Sequence, residues 1–220
     1  MKIVGFGDSF ITPNDLHYSY TNLIAAHFNT TFEHYGKEGS GAWNAFFQFK
    51  KTDVADVVLF AWSSSVRLYH SEYTTICPAG ATLNKNSNDP IWKAAEMYYA
   101  YLFEGEKAIY EHTAFYYWLD DWLKETYPNT KFIHMWGFPS AATGSADWGK
   151  TENFQYYHRW KNSAEIRPAL IHLSYLDEWP KDLSKETRCH HMTPKMHRIL
   201  ADTIIAAIED YKPGLLNIKL

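Results

Sequence analysis

Five short runs of the chain read as strands: 2–6, 57–62, 131–136 and 169–174, which are mostly apolar, and 31–35, which is anchored by Phe32 and Tyr35. Continuous rather than alternating apolarity is the pattern of strands buried on both faces, as in a parallel sheet. Between these runs, apolar residues recur at intervals of three and four over 20–28, 43–50, 91–127 and 194–211, which predicts helices. In the last of them Ile199, Leu200, Thr203, Ile204 and Ala207 share one face. The long stretch reads as a core stripe running from Trp92, Met97 and Tyr101 through Leu102 to Phe115, Trp118 and Trp122, with Gly105 placed to split it in two. Strand and helix alternate throughout, which predicts an α/β fold with helices on both faces of the sheet and ligands at the carboxyl ends of the strands. Two stretches rich in small and polar residues, 77–90 and 140–153, read as loops over that edge. Neither has the character of a linker and no internal repeat is present, so residues 1–220 are expected to form a single domain.

Composition narrows the partners. With 46% hydrophobic and 21% charged residues the chain is neither disordered nor a coiled coil. Its longest apolar runs are far short of the ~20 residues that cross a bilayer, so no membrane span is expected. The opening Met1-Lys2-Ile3-Val4-Gly5-Phe6-Gly7-Asp8 meets Gly and Asp before an apolar stretch can build, so no signal peptide is expected and a cytoplasmic location follows. A net charge of −4 carries no footprint for nucleic acid. Cys77 and Cys189 stand outside any metal-ligand spacing and suit a reducing compartment, with a bridge between them left open. Aromatics reach 17%, most of them read as core volume and the remainder as contact surface.

Candidate chemistry begins where the first strand ends. In Gly7-Asp8-Ser9-Phe10 a serine just past a strand, in a glycine-supported turn, holds its hydroxyl above the sheet edge, as a nucleophile requires. The same residues also suit a plain capping turn. Far along the chain, Arg188-Cys189-His190-His191-Met192-Thr193-Pro194 precedes the last helix, and three histidines, His190, His191 and His197, fall within eight residues. A histidine in that loop would stand over the same strand ends and could take the Ser9 proton. No carboxylate or paired cysteine completes a zinc site, so neither metal nor other cofactor is expected, and His197, inside the helical pattern, reads as structural.

In their order along the chain these segments resemble the motif blocks of the SGNH (GDSL) hydrolases, a flavodoxin-like group of esterases, lipases and carbohydrate deacetylases. The resemblance implies a three-layer α/β/α fold with a five-stranded, mostly parallel sheet. Gly7-Asp8-Ser9-Phe10 looks like the first block, which makes Ser9 the nucleophile and Asp8 its neighbour in the motif. Gly36-Lys37-Glu38-Gly39-Ser40-Gly41-Ala42-Trp43-Asn44 looks like the second, whose glycine offers its N–H to the oxyanion. Gly41 is preferred over Gly39, with Asn44 three residues on as in many members. Where the family carries Gly-x-Asn-Asp after the third strand, this chain has Ala61-Trp62-Ser63-Ser64-Ser65-Val66-Arg67, so Ser64 takes the oxyanion-donor position or is simply part of a polar turn. Short members encoded by tailed phages look similar here, and Arg67 then binds an anionic part of the substrate or pairs with an acid such as Glu72.

The fourth block matches as His191-Met192-Thr193-Pro194-Lys195-Met196-His197, which makes His191 the base, with His190 the alternative should the register shift by one. The family's orienting aspartate is Arg188 here, so Asp182 or Glu186 must substitute, or a Ser-His dyad works alone at low turnover. The resemblance therefore implies a serine esterase acting on a small or carbohydrate-linked ester. The alternative is a degenerate hydrolase fold used as a structural or binding protein, self-associating or built into a phage virion. A flavodoxin-like nucleotide binder would need a glycine-rich phosphate loop that the sequence lacks.

Overall fold

The computed structural model describes residues 1–12, 17–53, 55–74, 76–137, 160–167, 170, 173 and 192–218. Its strands are β1 (Ile3–Gly7), β2 (Phe32–Gly36), β3 (Val57–Trp62), β4 (Lys131–Trp136), β5 (Ala164–Arg167) and β6 (Gly214–Asn217). They form one sheet in the order β2-β1-β3-β4-β5-β6, and every neighbouring pair is parallel. The strand order reverses at β1, the switch point at which open α/β sheets form their ligand crevice.

The first four strands coincide with the expected runs to within a residue; β1, β3 and nearly all of β4 are buried throughout, whereas β2 is buried only at Phe32. The fifth does not. A strand over 169–174 was expected, yet β5 is Ala164–Arg167, while Leu170 and Leu173 are helical and buried. Glu165 is tolerated inside the sheet because Trp136 Nε1 and Arg167 Nε donate to its Oε1 at 2.8 and 2.6 Å. The sheet has six strands rather than five because the short edge strand β6 pairs with β5.

The helices are α1 (Tyr20–His27), α2 (Ala42–Lys51), α3 (Pro78–Leu83), α4 (Pro90–Tyr101), α5 (Gly105–Thr126) and α6 (Pro194–Glu209). Ser19, Asp89 and Thr193 cap α1, α4 and α6 through their side-chain oxygens, and Pro90 and Pro194 occupy first turns where their missing N–H costs nothing. Right-handed crossovers out from β1 and back past it put α1 and α2 on opposite faces. Helix α1 packs with α6. Helix α2 packs with α5 through Phe46, which meets Phe115, Trp118 and Trp122.

The long helical stretch breaks as expected, with Gly105 as the first residue of α5. Its stripe is core only in part. Phe115 and Leu119 are buried, but Met97, Tyr101, Leu102 and Trp118 are exposed, and α4 buries only Ala95, against Ile76 and Ala81. Helix α3 lies in a stretch read as loop, started by the free Cys77, whose Sγ accepts from Gly80 N.

Candidate active site

Parallel pairing brings the carboxyl ends of β1 to β4 to one edge, and residues 7–12, 36–41, 62–67 and 137 lie there. Glycines let the first turns approach. A Cβ on Gly7 would fall 2.5 Å from the Ala61 carbonyl oxygen, and one on Gly36 would fall 2.7 Å from Thr12 N and 2.8 Å from the Asp8 carbonyl oxygen. The turn that leaves β1 is closed by Ile11 N donating to the Asp8 carbonyl at 3.1 Å and by Phe10 N donating to Asp8 Oδ1 at 3.2 Å. Ser9 is half-buried between a wholly buried Asp8 and a buried Phe10. The two readings of the motif are thus divided between two residues: Asp8 caps the turn and Ser9 keeps access to solvent.

Arg67 arrives from the end of β3 and donates from Nη1 to Asp8 Oδ2 at 3.2 Å and to the Ser40 carbonyl at 3.3 Å. Ser40 Oγ in turn donates to the Gly7 carbonyl at 3.2 Å. One guanidinium therefore joins the loops after β1, β2 and β3. Of the acids available to Arg67 the structure selects Asp8, not Glu72. Burial pushes the Asp8 carboxyl above the usual carboxylate range, while Arg67, the Phe10 N–H and Ser63 pull it back.

Gly39 has φ +70°, a left-handed conformation that glycine adopts at no steric cost. Gly41 is the N-cap of α2, and a Cβ there would meet the Arg67 carbonyl oxygen at 2.8 Å. Among the described residues, neither the Ser9 N–H nor the Gly41 N–H donates a hydrogen bond. Asn44, in the first turn of α2, is buried with Nδ2 unpartnered among the described residues. Ser64 Oγ accepts from Val66 N at 3.5 Å and its carbonyl accepts from Arg67 N at 3.2 Å, the geometry of a hydroxyl-closed turn.

Asp182, Glu186, Arg188, His190 and His191 lie outside the described residues. The description resumes at Met192, which is buried, and Thr193, whose hydroxyl accepts from Met196 N at 3.3 Å. His197 is buried in the first turn of α6. Its Nδ1 accepts from Tyr20 N at 3.2 Å, and the Tyr20 hydroxyl donates to the Phe10 carbonyl at 2.7 Å. The first turn of α6 is thereby tied to the residue next to Ser9. Among the described residues no group of three His, Cys, Asp or Glu side chains is placed to hold a metal ion, and no helix is long and apolar enough to cross a membrane.

Two residues escaped the sequence reading. Ser65 and His112 line a cavity of about 310 Å³ that also touches Arg67. They are 47 positions apart, one in a serine run and one inside a helix, so no motif spacing marks them.

No protein-family model matches the chain, and no curated protein does. Solved structures resemble it at low identity. A carbohydrate esterase whose active site "displays divergent catalytic and non-catalytic binding functions" aligns over 96% of this chain and 65% of its own, with 13% identity and a TM-score of 0.49. A member of the lipolytic protein G-D-S-L family from Veillonella parvula DSM 2008 aligns over 96% of this chain and 98% of its own, with 14% identity and a TM-score of 0.47. An alpha/beta hydrolase enzyme from the metagenome of Lake Arreo, Spain, aligns over 96% of both chains, with 14% identity and a TM-score of 0.46.

Proposed function

We propose that this chain is a serine ester hydrolase, a single domain acting through Ser9 and His191. The observation that carries the reading is the link from Phe10 through Tyr20 to His197, with bonds of 2.7 and 3.2 Å. It fixes the first turn of α6 to the turn that carries Ser9, and His191 stands six residues before His197 in the sequence. In the reaction His191 removes the Ser9 proton, Ser9 Oγ attacks the ester carbonyl, and the oxyanion is met by the Ser9 and Gly41 N–H groups, which are uncommitted among the described residues. Ser64 or Asn44 supplies a further donor. The protonated histidine then gives its proton to the leaving alcohol, and water, activated by the same histidine, releases the acyl group. A carboxylate at Asp182 or Glu186 would orient the imidazole; without one, Ser9 and His191 act as a dyad with low turnover.

A fluorophosphonate probe tests the reading without knowledge of the substrate. Wild type should label and Ser9→Ala should not; equal labelling of both would overturn it.

A second reading, a fold with little or no catalysis serving as a structural or binding protein such as a virion component, draws on the large exposed apolar side chains of Met97, Tyr101, Leu102, Tyr110, Tyr117 and Trp118 on α4, α5 and the link between them. Absence of labelling together with concentration-dependent self-association would favour it.

A further inference from the structure

Segment 69–101, which holds α3 and α4 and leads from β3 toward α5, carries a small core of its own. Of the twelve residues of α4 only Ala95 is buried, and α3 buries only Gly80 and Ala81. Ile76, Ala81 and Ala95 form a cluster apart from the main core, with Tyr73, Ile91, Trp92 and Tyr99 packed on it. Inside the segment the bracing is close. Leu68 N donates to the Ile76 carbonyl at 2.9 Å where the segment begins, and Tyr73 OH donates to Asp89 Oδ2 at 2.5 Å, the same carboxylate whose Oδ1 caps α4.

Its attachment to the body, the residues up to Val66 and from Gly105 onward, is thin. Among the described residues one hydrogen bond crosses, from Tyr99 OH to the Val66 carbonyl at 2.7 Å, and the single proton of that hydroxyl is shared with the Ile76 carbonyl at 2.8 Å. One contact between aromatic rings crosses, Tyr69 against Phe47 of α2 at 4.9 Å. Between segment and body lies the cavity of about 310 Å³, with Tyr69 and Tyr98 on its wall from the segment, Trp43 and Ala108 from the body, and Arg67 at the connection. Trp43 and Tyr69 are 38% and 41% exposed, so both walls meet water. A unit braced within and thinly joined outside opens at a smaller cost than the sheet, because local stability follows the apolar contacts that opening would break. The first connection abuts the candidate active site, where Arg67 Nη1 contacts Asp8 Oδ2 at 3.2 Å, one residue from Ser9.

We propose that 69–101 is a cap that opens as one piece on its two connections, 67–68 and 102–104, with the Tyr99 hydroxyl as its latch. Opening parts Tyr69 and Tyr98 from Trp43 and widens the approach to the Arg67 side of the candidate active site. That the opening admits a substrate rests on the ester-hydrolase reading; the motion itself does not.

Hydrogen exchange of the full chain, read by mass spectrometry, tests the motion. Amides of α3 and α4 should be about 100-fold less protected than those of β3 and β4, and the two helices should lose protection together in urea below the global transition. Tyr99→Phe deletes the crossing hydrogen bond and keeps the ring, so it should speed exchange about tenfold in both helices and leave β3 and β4 unchanged. Protection of α4 equal to that of β3, or a Tyr99→Phe effect confined to the last turn of α4, would overturn the cap. A cross-link tests the gate. Trp43→Cys with Tyr98→Cys, in a background of Cys77→Ser and Cys189→Ser, puts one thiol on each wall; Ser keeps the capping oxygen that α3 needs. Joined by bismaleimidohexane, this protein should exchange α3 and α4 more slowly than the same protein blocked with N-ethylmaleimide. It should also label about tenfold more slowly with a biotinylated fluorophosphonate, while the small diisopropyl fluorophosphate reacts at an unchanged rate. Equal labelling of the joined and blocked proteins by the large probe would overturn the gate and leave the motion to be decided by exchange. If neither probe labels either protein, the catalytic reading falls, and exchange in α3 and α4 alone supports or overturns the cap.

Discussion

Arg67 and Asp8, 59 residues apart in the sequence, meet at 3.2 Å beneath the turn that carries Ser9. The carboxylate is fully buried and the guanidinium only 15% exposed, so neither charge has much water to fall back on. The pair does not simply add stability, since desolvation of two charges offsets much of their attraction. Its value is positional: with the Ser40 carbonyl as a second acceptor, it fixes the three loops that carry the candidate oxyanion donors.

Removing one partner should therefore cost far more than removing both. Arg67→Met leaves the Asp8 carboxyl buried with its main counter-charge gone and should lose about 3–5 kcal/mol in urea unfolding at pH 7. Asp8→Asn combined with Arg67→Met should recover much of that loss. The sign with pH follows from the raised Asp8 carboxyl: the folded state holds its proton more tightly than the unfolded state, so this group's contribution falls as pH rises. The Arg67→Met deficit should thus shrink as pH is lowered from 7 toward 4. Additive losses, or a deficit that grows in acid, would show that the pair is not coupled as described.

The adjacent histidines give a sharper choice. His191→Ala should abolish fluorophosphonate labelling and ester hydrolysis, whereas His190→Ala should leave most of both. Because the base must be neutral to take the Ser9 proton, activity in the wild type should rise with pH through the ordinary imidazole range. The reverse pattern for the two variants would shift the motif by one residue and put Thr187 in the place of Arg188.

What was legible in the sequence, and what was not, follows from where each signal is stored. Val57–Trp62 and Lys131–Trp136 stand in the sheet at their expected limits because a strand covered on both faces must be apolar throughout. β5 lies outside the expected run because Glu165 and Arg167 read as surface: in the sheet they pair with each other two residues apart, and Trp136, 29 residues away, donates a further bond to Glu165. The edge strand Gly214–Asn217 is too short, and too exposed on alternate residues, to register as a buried run. On α4, the spacing of Met97 and Tyr101 is helical, but periodicity cannot say whether a face is covered, and both are exposed. At the site, Gly7, Asp8 and Ser9 are contiguous and so visible as a motif. The Arg67 partner was not, because choosing Asp8 over Glu72 requires knowing that β1 and β3 are neighbours.

His112 makes a prediction about stability alone. Its imidazole is held down to about 4 by burial, with Glu111 acting weakly the other way. A histidine that takes up a proton less readily when folded contributes stability that is full above its unfolded value, ~6.5, and is lost as pH falls from there toward 4. With allowance for partial solvent access the loss should be about 1–3 kcal/mol. Between pH 7 and 4 the wild type should lose that much more stability than His112→Phe, measured by urea unfolding. Parallel curves for the two proteins would show that the folded state does not suppress this protonation.

Among the described residues, one hydroxyl hydrogen-bonds across from α1 to the Ser9 turn. Tyr20, buried at 2% exposure, donates through its OH to the Phe10 carbonyl at 2.7 Å while its N–H donates to His197 Nδ1 at 3.2 Å. Tyr20→Phe removes only the first bond. The ring still fills its place in the core and stacks on His197, so the loss in stability should be modest, about 1–3 kcal/mol for one buried bond. The effect on Ser9 should be out of proportion to that. Nothing in the ring tethers Phe10 once the hydroxyl is gone, so the turn that carries the nucleophile can shift against the helix that follows His191. Displacements of about 1 Å can cost as much as 10²-fold in rate. Tyr20→Phe should therefore slow fluorophosphonate labelling of Ser9 by about tenfold or more at a temperature where the variant remains fully folded by circular dichroism. Labelling at the wild-type rate would mean that the Ser9 turn is held by its own glycines and by Arg67, and that the α6 end of the site is positioned by some other contact.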